Sequence, residues 1–92
     1  VSALAPYAAV LSGTHAEYWT TPMRRALDAY TNGGGRFVYL SGNGLYWITA
    51  LSDDGTLAEV RRPHGTRAWT AEPGAAYLSL TGELGGLWLH RG

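Results

Sequence analysis

The chain has 92 residues, of which only 15% are charged, and seven arginines balance seven acidic residues to a net charge of +0. This length allows one small domain at most, and a charged share below the usual ~25% indicates a fragment whose apolar faces meet other parts of a larger protein. The absence of cysteine excludes a disulfide-stabilised mini-protein, a cysteine zinc site and a cysteine nucleophile, while net neutrality argues against a nucleic-acid-binding module.

A strand, a helix and a second strand are predicted in the first half of the chain. Residues 6–13 (PYAAVLSG) form a nearly unbroken apolar run, which is typical of a strand buried on both faces. A helix is predicted over residues 21–32, with Thr21 as its N-cap, Pro22 in its first position and a glycine triplet at its end. Residues 36–42 form the second apolar strand. This order predicts a βαβ unit with parallel strands and a right-handed crossover.

The second half of the chain predicts shorter elements. Residues 46–51 and 57–61 are expected to be strands joined by a tight Asp-Gly turn. A loop is expected over residues 62–73 and a short strand over 75–80, whereas residues 81–86 (TGELGG) are too rich in glycine for a helix or a regular strand. No apolar run approaches the ~18 residues of a membrane span, and no secretory leader is recognisable, so we expect a cytoplasmic protein without a membrane partner.

Two segments of similar sequence follow the two parallel strands. LSGTHAEYW (residues 11–19) follows the first strand and LSGNGLYW (residues 40–47) follows the second. Parallel neighbours place both segments at the carboxyl edge of the sheet, where open α/β sheets bind ligands, and adjacent strands lie only about 5 Å apart. The side chains that we expect to converge there are His15, Glu17, Tyr18, Asn43 and Tyr46. The alternative is ordinary turn chemistry with aromatic residues in the core.

Individual side chains in these segments allow more than one role. His15 and Glu17 are two residues apart and point the same way in an extended loop, as an acid–base or metal-binding pair requires, but either also suits a hydrogen bond within a turn. Tyr18 and Tyr46 could bind a hard metal as phenolates or be hydrogen-bonding core aromatics.

Charged residues elsewhere in the chain leave similar alternatives open. Glu83 is the one acid in residues 81–89, where a carboxylate is costly to bury unless it is paired or bound to metal, and an exposed loop residue is the alternative. A basic cluster could grip an anion or a partner chain, or be a solvated loop. Its members are Arg61, Arg62, His64 and Arg67.

Several segments, in one order, resemble the large (β) subunit family of N,N-dimethylformamidase. They are SGTHAEYW (12–19), similar to the family's His-Pro-Glu-Tyr-Trp, the helix 21–32 with GGGR (33–36), GNGLYW (42–47), GTRAW (65–69) and TGELGGLW (81–88). Ala16 departs from the family's usual proline. The resemblance implies that residues 1–92 are part of a single C-terminal domain of a far longer subunit. It further implies an α/β, flavodoxin-like fold, similar to a class I glutamine amidotransferase without its cysteine, with one parallel βαβ unit followed by short strands and glycine-rich loops.

The same resemblance implies an iron-dependent amidohydrolase that cleaves small N-substituted formamides to formate and an amine through metal-bound water. It implies non-haem Fe3+ held by two tyrosines and a glutamate, a set of hard oxygen ligands. Glu83 is the best match for the carboxylate and Tyr18 for one tyrosine, while the second is Tyr46 or a residue before Val1.

The resemblance and the loop positions together give three residues catalytic roles. His15 or Glu17 would act as the base, and Asn43 or a backbone N–H of the glycine-rich loops would stabilise the oxyanion. The implied partners are a small amide substrate, the rest of the large subunit, and also a small subunit and further copies, whose requirement stays open. The isolated fragment is expected to be inactive, and the alternative is a catalytically silent amidotransferase-like ligand-binding or scaffold module.

Overall fold

The computed structural model describes residues 3–62 and 76–91 of the chain. The elements in chain order are β1 (Ala9–Ser12), β2 (Tyr18–Trp19), α1 (Thr21–Asn32), β3 (Arg36–Tyr39), β4 (Trp47–Leu51), β5 (Ala58–Val60) and a 3-10 helix (Trp88–His90). The chain is therefore a mixed α/β structure, as predicted. The predicted loop beyond residue 62, with His64 and Arg67, lies outside the described residues.

The predicted βαβ unit is confirmed. β1 and β3 pair in parallel, and their register runs from Ala9 opposite Arg36 to Ser12 opposite Tyr39. A second sheet was not fully anticipated: the two-residue strand β2 pairs in parallel with β4, and β4 pairs antiparallel with β5 as the predicted hairpin. Both loops that leave the carboxyl ends of β1 and β3 consequently start at one edge of the first sheet.

The predicted helix has the expected bounds, but its N-cap was assigned to the wrong threonine. Thr20 is the N-cap: its backbone is extended, and its Oγ1 accepts a hydrogen bond of 3.2 Å from the Met23 amide. Thr21 is the first helical residue, so Pro22 lies one position further into the first turn. The adjacent threonines are chemically equivalent as caps, and the backbone conformation at residue 20 decides between them.

The strand over residues 6–13 was predicted to be buried on both faces, and this is wrong. Burial alternates along β1 and β3, and Leu11 and Val38, which lie opposite each other, are 65% and 39% exposed. The helix α1 packs against β3 and β4. Among the described residues, one face of the β1–β3 pair is therefore left uncovered and apolar.

The core forms around β4. Ile48, Ala50 and Leu78 are almost completely buried, and Trp88 packs against them. The glycine-rich segment reaches β4 through a hydrogen bond of 2.9 Å from the Ile48 amide to the Gly86 carbonyl. The 3-10 helix that follows is held to the residue before β4 by a hydrogen bond of 3.0 Å from the Trp88 amide to the Tyr46 carbonyl. None of the helices within residues 3–62 and 76–91 has the length and the apolar character needed to cross a bilayer.

The strand predicted over residues 75–80 is wrong in the part that the structure describes. Residues 76–80 hold only an isolated bridge between Tyr77 and Leu84. The Gly82 amide donates to the Leu78 carbonyl at 2.7 Å, which turns the chain back on itself. This turn ends the extended backbone that a longer strand needs.

Glu59 in β5 fastens this turn to the second sheet. Its carboxylate accepts hydrogen bonds from the Ser79 amide and hydroxyl, each at 2.5 Å, and from the Leu80 amide at 3.2 Å. Arg61 Nε lies 3.1 Å from Glu59 Oε1 and forms an ion pair with it. The Ser79 hydroxyl is the main reason that the pKa of Glu59 falls from 4.5 to about 2, against the opposing effect of burial.

We expect Glu59→Gln to weaken the attachment of residues 79–80 by about 1–2 kcal/mol at pH 7, because charge-assisted hydrogen bonds are lost. Amide hydrogen exchange at Ser79 and Leu80 measures the loss of protection. In the unaltered protein the ionised Glu59 carboxylate stabilises the fold fully above about pH 4.5. This stabilisation is lost as the pH falls towards 2, because the pKa of Glu59 is lower in the folded than in the unfolded protein.

Asp54→Asn is the matched control for that exchange experiment. Asp54 is also a hydrogen-bonded carboxylate, but its partners Ser52 and Thr56 lie in the β4–β5 turn. Exchange at Ser79 and Leu80 should be unchanged in this variant. Equal protection in the Glu59 variant and the unaltered protein would contradict the role given to Glu59.

Candidate functional site

The two loops at the carboxyl edge of the β1–β3 sheet lie side by side. At the strand ends the Leu40 amide donates to the Ser12 carbonyl at 2.9 Å, and further out the Leu45 amide donates to the Ala16 carbonyl at 3.0 Å. We call residues 13–17 the first loop and residues 40–46 the second loop. Their contact brings His15 and Glu17 next to the segment that carries Asn43.

His15 lies across the second loop. Its Nδ1 is 3.0 Å from the Ser41 hydroxyl, and its ring packs against Gly42, where an added Cβ would lie 2.9 Å from Nε2. If the Ser41 hydroxyl donates to Nδ1, Nε2 carries the proton; if Nδ1 donates to Ser41, Nε2 has a free lone pair. The exposed imidazole thus has one nitrogen held and the other available for proton transfer.

The second loop contains two residues with a left-handed backbone conformation. Asn43 has φ 48°, which asparagine tolerates better than most residues, and Leu45 has φ 51°, which costs a residue with a bulky side chain about 1 kcal/mol or more. The Glu17 carbonyl offsets part of this cost by accepting from the amides of Tyr46 at 3.0 Å and Trp47 at 2.7 Å. Strained conformations held by surrounding contacts are concentrated at binding and catalytic sites.

Glu17 and Asn43 keep polar side-chain atoms free within residues 3–62 and 76–91. The Glu17 carboxylate is partly buried, and no described residue donates a hydrogen bond to it or forms an ion pair with it. The exposed Asn43 amide likewise has no described side-chain partner. Both groups can therefore bind a ligand without first breaking a contact in the described structure.

Tyr39, at the end of β3, joins the two loops. Its hydroxyl accepts from the Ala16 amide at 2.9 Å and donates to the Gly42 carbonyl at 2.7 Å. Its ring covers Gly44 so closely that an added Cβ would lie 2.6 Å from Cε1. Sequence reasoning gave Tyr39 and Ser41 no role in the site, because both lay in the predicted strand 36–42 and turn chemistry was the alternative for the Ser-Gly pair.

The two tyrosines proposed as metal ligands lie against Trp47. Tyr18 pairs with Trp47 in the sheet, and its hydroxyl is 3.1 Å from Arg62 Nη2, whose guanidinium stacks 5.0 Å over the Trp47 ring. The Tyr46 ring meets the same indole edge-on with centroids 5.0 Å apart. Tyr18 and Tyr46 are 48% and 37% exposed as whole residues.

Glu83 lies at the first turn of α1. Thr21 Oγ1 donates to Glu83 Oε2 at 2.5 Å, and Arg91 Nη2 lies 2.9 Å from the same oxygen. The Thr21 hydroxyl first, and Arg91 second, hold the pKa of Glu83 below its ordinary value despite partial burial. Of the alternatives that the sequence left open, Glu83 is the paired carboxylate, and this ion pair has a structural role whether or not a metal binds.

The chemistry of the predicted metal ligands fits Fe3+, because two phenols and an ionised carboxylate are hard oxygen donors. Tyr18, Tyr46 and Glu83 are not joined to one another by any hydrogen bond among the described residues. The described part of the chain also contains no group of three or more His, Cys, Asp or Glu side chains placed to hold a metal ion.

We call residues 76–91 the C-terminal segment. A cavity of about 460 Å³ lies between this segment and the second loop. It is lined by Gly44, Leu45, Tyr46, Leu87, Trp88, Leu89 and Arg24. Trp88 is fixed there by a hydrogen bond of 3.2 Å from its Nε1 to the Trp19 carbonyl. Leucine side chains and an indole give the cavity a wall suited to small apolar groups.

Comparison with known proteins identifies the family. A family model described as N,N-dimethylformamidase beta subunit-like, C-terminal, matches residues 1–92. The chain belongs to this family. The N,N-dimethylformamidase beta subunit of Paracoccus aminophilus is 40% identical over 87 residues, or 94% of the chain. That of an Alcaligenes species is 41% identical over 81 residues, or 87% of the chain.

The chain spans 11% of the length of each of these two beta subunits. The family resemblance stated from the sequence is thus confirmed over nearly the whole chain. The likeness to a glutamine amidotransferase and the flavodoxin-like strand order stay predictions, because the described strands define only a mixed α/β architecture.

We predict that Gly44→Ala in this dimethylformamidase-like chain disturbs the second loop. The new Cβ would lie 2.6 Å from Tyr39 Cε1, which forces the ring or the loop to move and costs about 1–3 kcal/mol. Faster amide hydrogen exchange at Leu45 measures the effect. Gly13→Ala is the control, since its Cβ meets no atom within 4 Å, and the two variants behaving alike would contradict the prediction.

Proposed function

We propose that the complete subunit containing this chain hydrolyses small N-substituted formamides to formate and an amine. The relatives are beta subunits of N,N-dimethylformamidase, and the chain covers 11% of their length, so the activity is proposed for the whole subunit. The observation that carries the proposal is the meeting of the His15 and Asn43 loops at the carboxyl edge of a parallel sheet.

In this proposal His15 moves the proton. An imidazole gains and loses a proton near neutral pH, and the contact of Nδ1 with Ser41 fixes the ring. His15 takes a proton from water as the water oxygen bonds to the formyl carbon, and it returns the proton to nitrogen as the C–N bond breaks. Glu17, with no described partner for its carboxylate, is the alternative base.

Asn43 is proposed to stabilise the charge that develops on the formyl oxygen. Its side-chain amide is a hydrogen-bond donor without a described partner, and its backbone has a left-handed conformation with φ 48°. A donor already in place costs no reorganisation during the reaction and contributes about 3–4 kcal/mol in known oxyanion holes. The apolar cavity beside residues 44–46 suits the N-alkyl groups of the substrate.

We also propose that the complete subunit binds Fe3+, with Tyr18 and Glu83 as ligands and Tyr46, or a tyrosine before Val1, as the third. The lowered pKa of Glu83 supports this, because a carboxylate must be deprotonated to bind a metal, and Tyr18 and Tyr46 are partly exposed. Iron held by these residues would act as a Lewis acid towards the amide carbonyl. A small subunit is a proposed partner, since the relatives are beta subunits. Further copies of the large subunit are proposed as well.

We predict that His15→Gln lowers kcat for dimethylformamide by about 100–10,000-fold, the usual contribution of a general acid–base residue. Asn43→Ala should lower kcat by about 100–1,000-fold through the lost oxyanion donor. Formate release by the complete subunit measures both. Asn32→Ala is the control, because Asn32 ends α1 away from these loops, and it should leave kcat unchanged.

The outcome of that assay also tests the alternative function. A complete subunit that hydrolyses no formamide and contains no metal would favour the catalytically silent ligand-binding or scaffold module. The exposed apolar face around Leu11 and Val38, which offers a surface to other parts of the subunit, is the observation in favour of a scaffold.

For the metal, we predict that Glu83→Gln lowers the iron content of the complete subunit and weakens the visible phenolate-to-iron absorption. Glu59→Gln is the matched control, because Glu59 is also a hydrogen-bonded carboxylate with a lowered pKa but binds Ser79 instead. Full retention of iron and activity in the Glu83 variant would remove Glu83 from the ligand set and leave it only its contacts with Thr21 and Arg91.

A further inference from the structure

We infer that Tyr39 is a positioning residue that sets the distance between His15 and Asn43. Its hydroxyl is bonded to the backbone of the residue after His15 and to the backbone of the residue before Asn43: Ala16 N at 2.9 Å and Gly42 O at 2.7 Å. The hydroxyl thus binds a backbone atom of the residue next to each of the two proposed catalytic residues. The inference rests on the proposed function of His15 and Asn43.

The position of the hydroxyl is fixed by the rest of the tyrosine. Tyr39 is the last residue of β3, opposite Ser12, so its backbone is anchored in the parallel pair. Its ring packs on Gly44 and lies against Phe37 with centroids 6.3 Å apart. A rigid ring on an anchored strand places its oxygen with little freedom, which a flexible polar side chain does not achieve.

No other described contact replaces this link at the same place. The backbone hydrogen bond from Leu40 to Ser12 lies at the strand ends, and that from Leu45 to Ala16 lies on the far side of Asn43. Between them, only Tyr39 and the His15–Ser41 contact connect the two loops by hydrogen bonds among the described residues. Removing the hydroxyl leaves the Ala16 amide and the Gly42 carbonyl without their partner.

Tyr30 is a matched control within the same βαβ unit. It is a buried tyrosine whose hydroxyl also bonds to main chain, at 2.9 Å from the Tyr7 carbonyl and 3.4 Å from the Arg36 carbonyl. These contacts lie near the amino ends of β1 and β3, opposite the candidate site. Tyr30→Phe therefore removes a similar hydrogen bond without touching either loop.

The test compares Tyr39→Phe with Tyr30→Phe in the complete subunit. We expect Tyr39→Phe to lower kcat for dimethylformamide about 10–100-fold, the effect of misplacing reacting groups by up to about 1 Å, with KM changed less than about threefold. Tyr30→Phe should lower the melting temperature about as much as Tyr39→Phe does, but it should leave kcat unchanged. Equal kcat losses in the two variants, or no loss in Tyr39→Phe, would overturn the inference.

Amide hydrogen exchange at Ala16 tests the link independently of turnover. Tyr39→Phe should accelerate this exchange at least about tenfold, and Tyr30→Phe should not change it. If the unaltered subunit releases no formate but the Ala16 exchange responds in this way, the proposed function fails and the positioning of the loops by Tyr39 stands. An unchanged Ala16 exchange in Tyr39→Phe overturns the inference, whatever the activity.

Discussion

The parallel pairing of β1 with β3 determines where the candidate catalytic side chains lie. Because Ser12 and Tyr39 stand opposite each other at the ends of these strands, the loops that follow them begin at the same edge. Backbone hydrogen bonds then hold Leu45 against Ala16, and Tyr46 and Trp47 against Glu17. A shift of the register by one residue would turn every side chain on one strand to the other face and separate the loops.

Several of the charged residues that the structure describes form ion pairs with one another. Three ion pairs are formed among residues 3–62 and 76–91: Arg24 with Asp28, Arg61 with Glu59, and Arg91 with Glu83. Two of them tie the C-terminal segment to the remainder, since Glu59 also holds Ser79 and Glu83 also accepts from Thr21. The low charged share noted in the sequence thus coincides with an apolar face around Leu11 and Val38 that no described residue covers.

Local sequence signals predicted the elements that depend on local structure. The glycine triplet and Pro22 bounded α1, and the Asp-Gly turn identified the β4–β5 hairpin, in which Asp54 accepts from Ser52 and Thr56. The short strand β2 could not be predicted, because its two residues are extended only through pairing with β4. The exposure of Leu11 also escaped prediction, since an apolar strand carries no information about which of its faces another element covers.

In the candidate site, too, some features were predictable from local sequence and others depend on contacts between distant residues. The similar Leu-Ser-Gly segments placed His15 and Asn43 at the same sheet edge, since the strands of a βαβ unit are parallel, and the observed pairing of β1 with β3 makes the two loops neighbours. The contacts that fix them join residues far apart in sequence: Ser41 is 26 residues from His15, and Glu83 is 62 residues from Thr21. No spacing rule relates such residues, so Tyr39, Ser41 and the Glu83–Arg91 pair become visible only in the folded chain.

The central claim is that the two loops act as one site, and a double-mutant cycle tests it most directly. The kcat/KM for dimethylformamide would be measured for the complete subunit with His15→Gln, with Asn43→Ala and with both changes. Residues that serve one transition state are strongly non-additive, so we predict a double variant no more than about threefold slower than the slower single variant. A double variant slowed by the full product of the two single effects would contradict the claim.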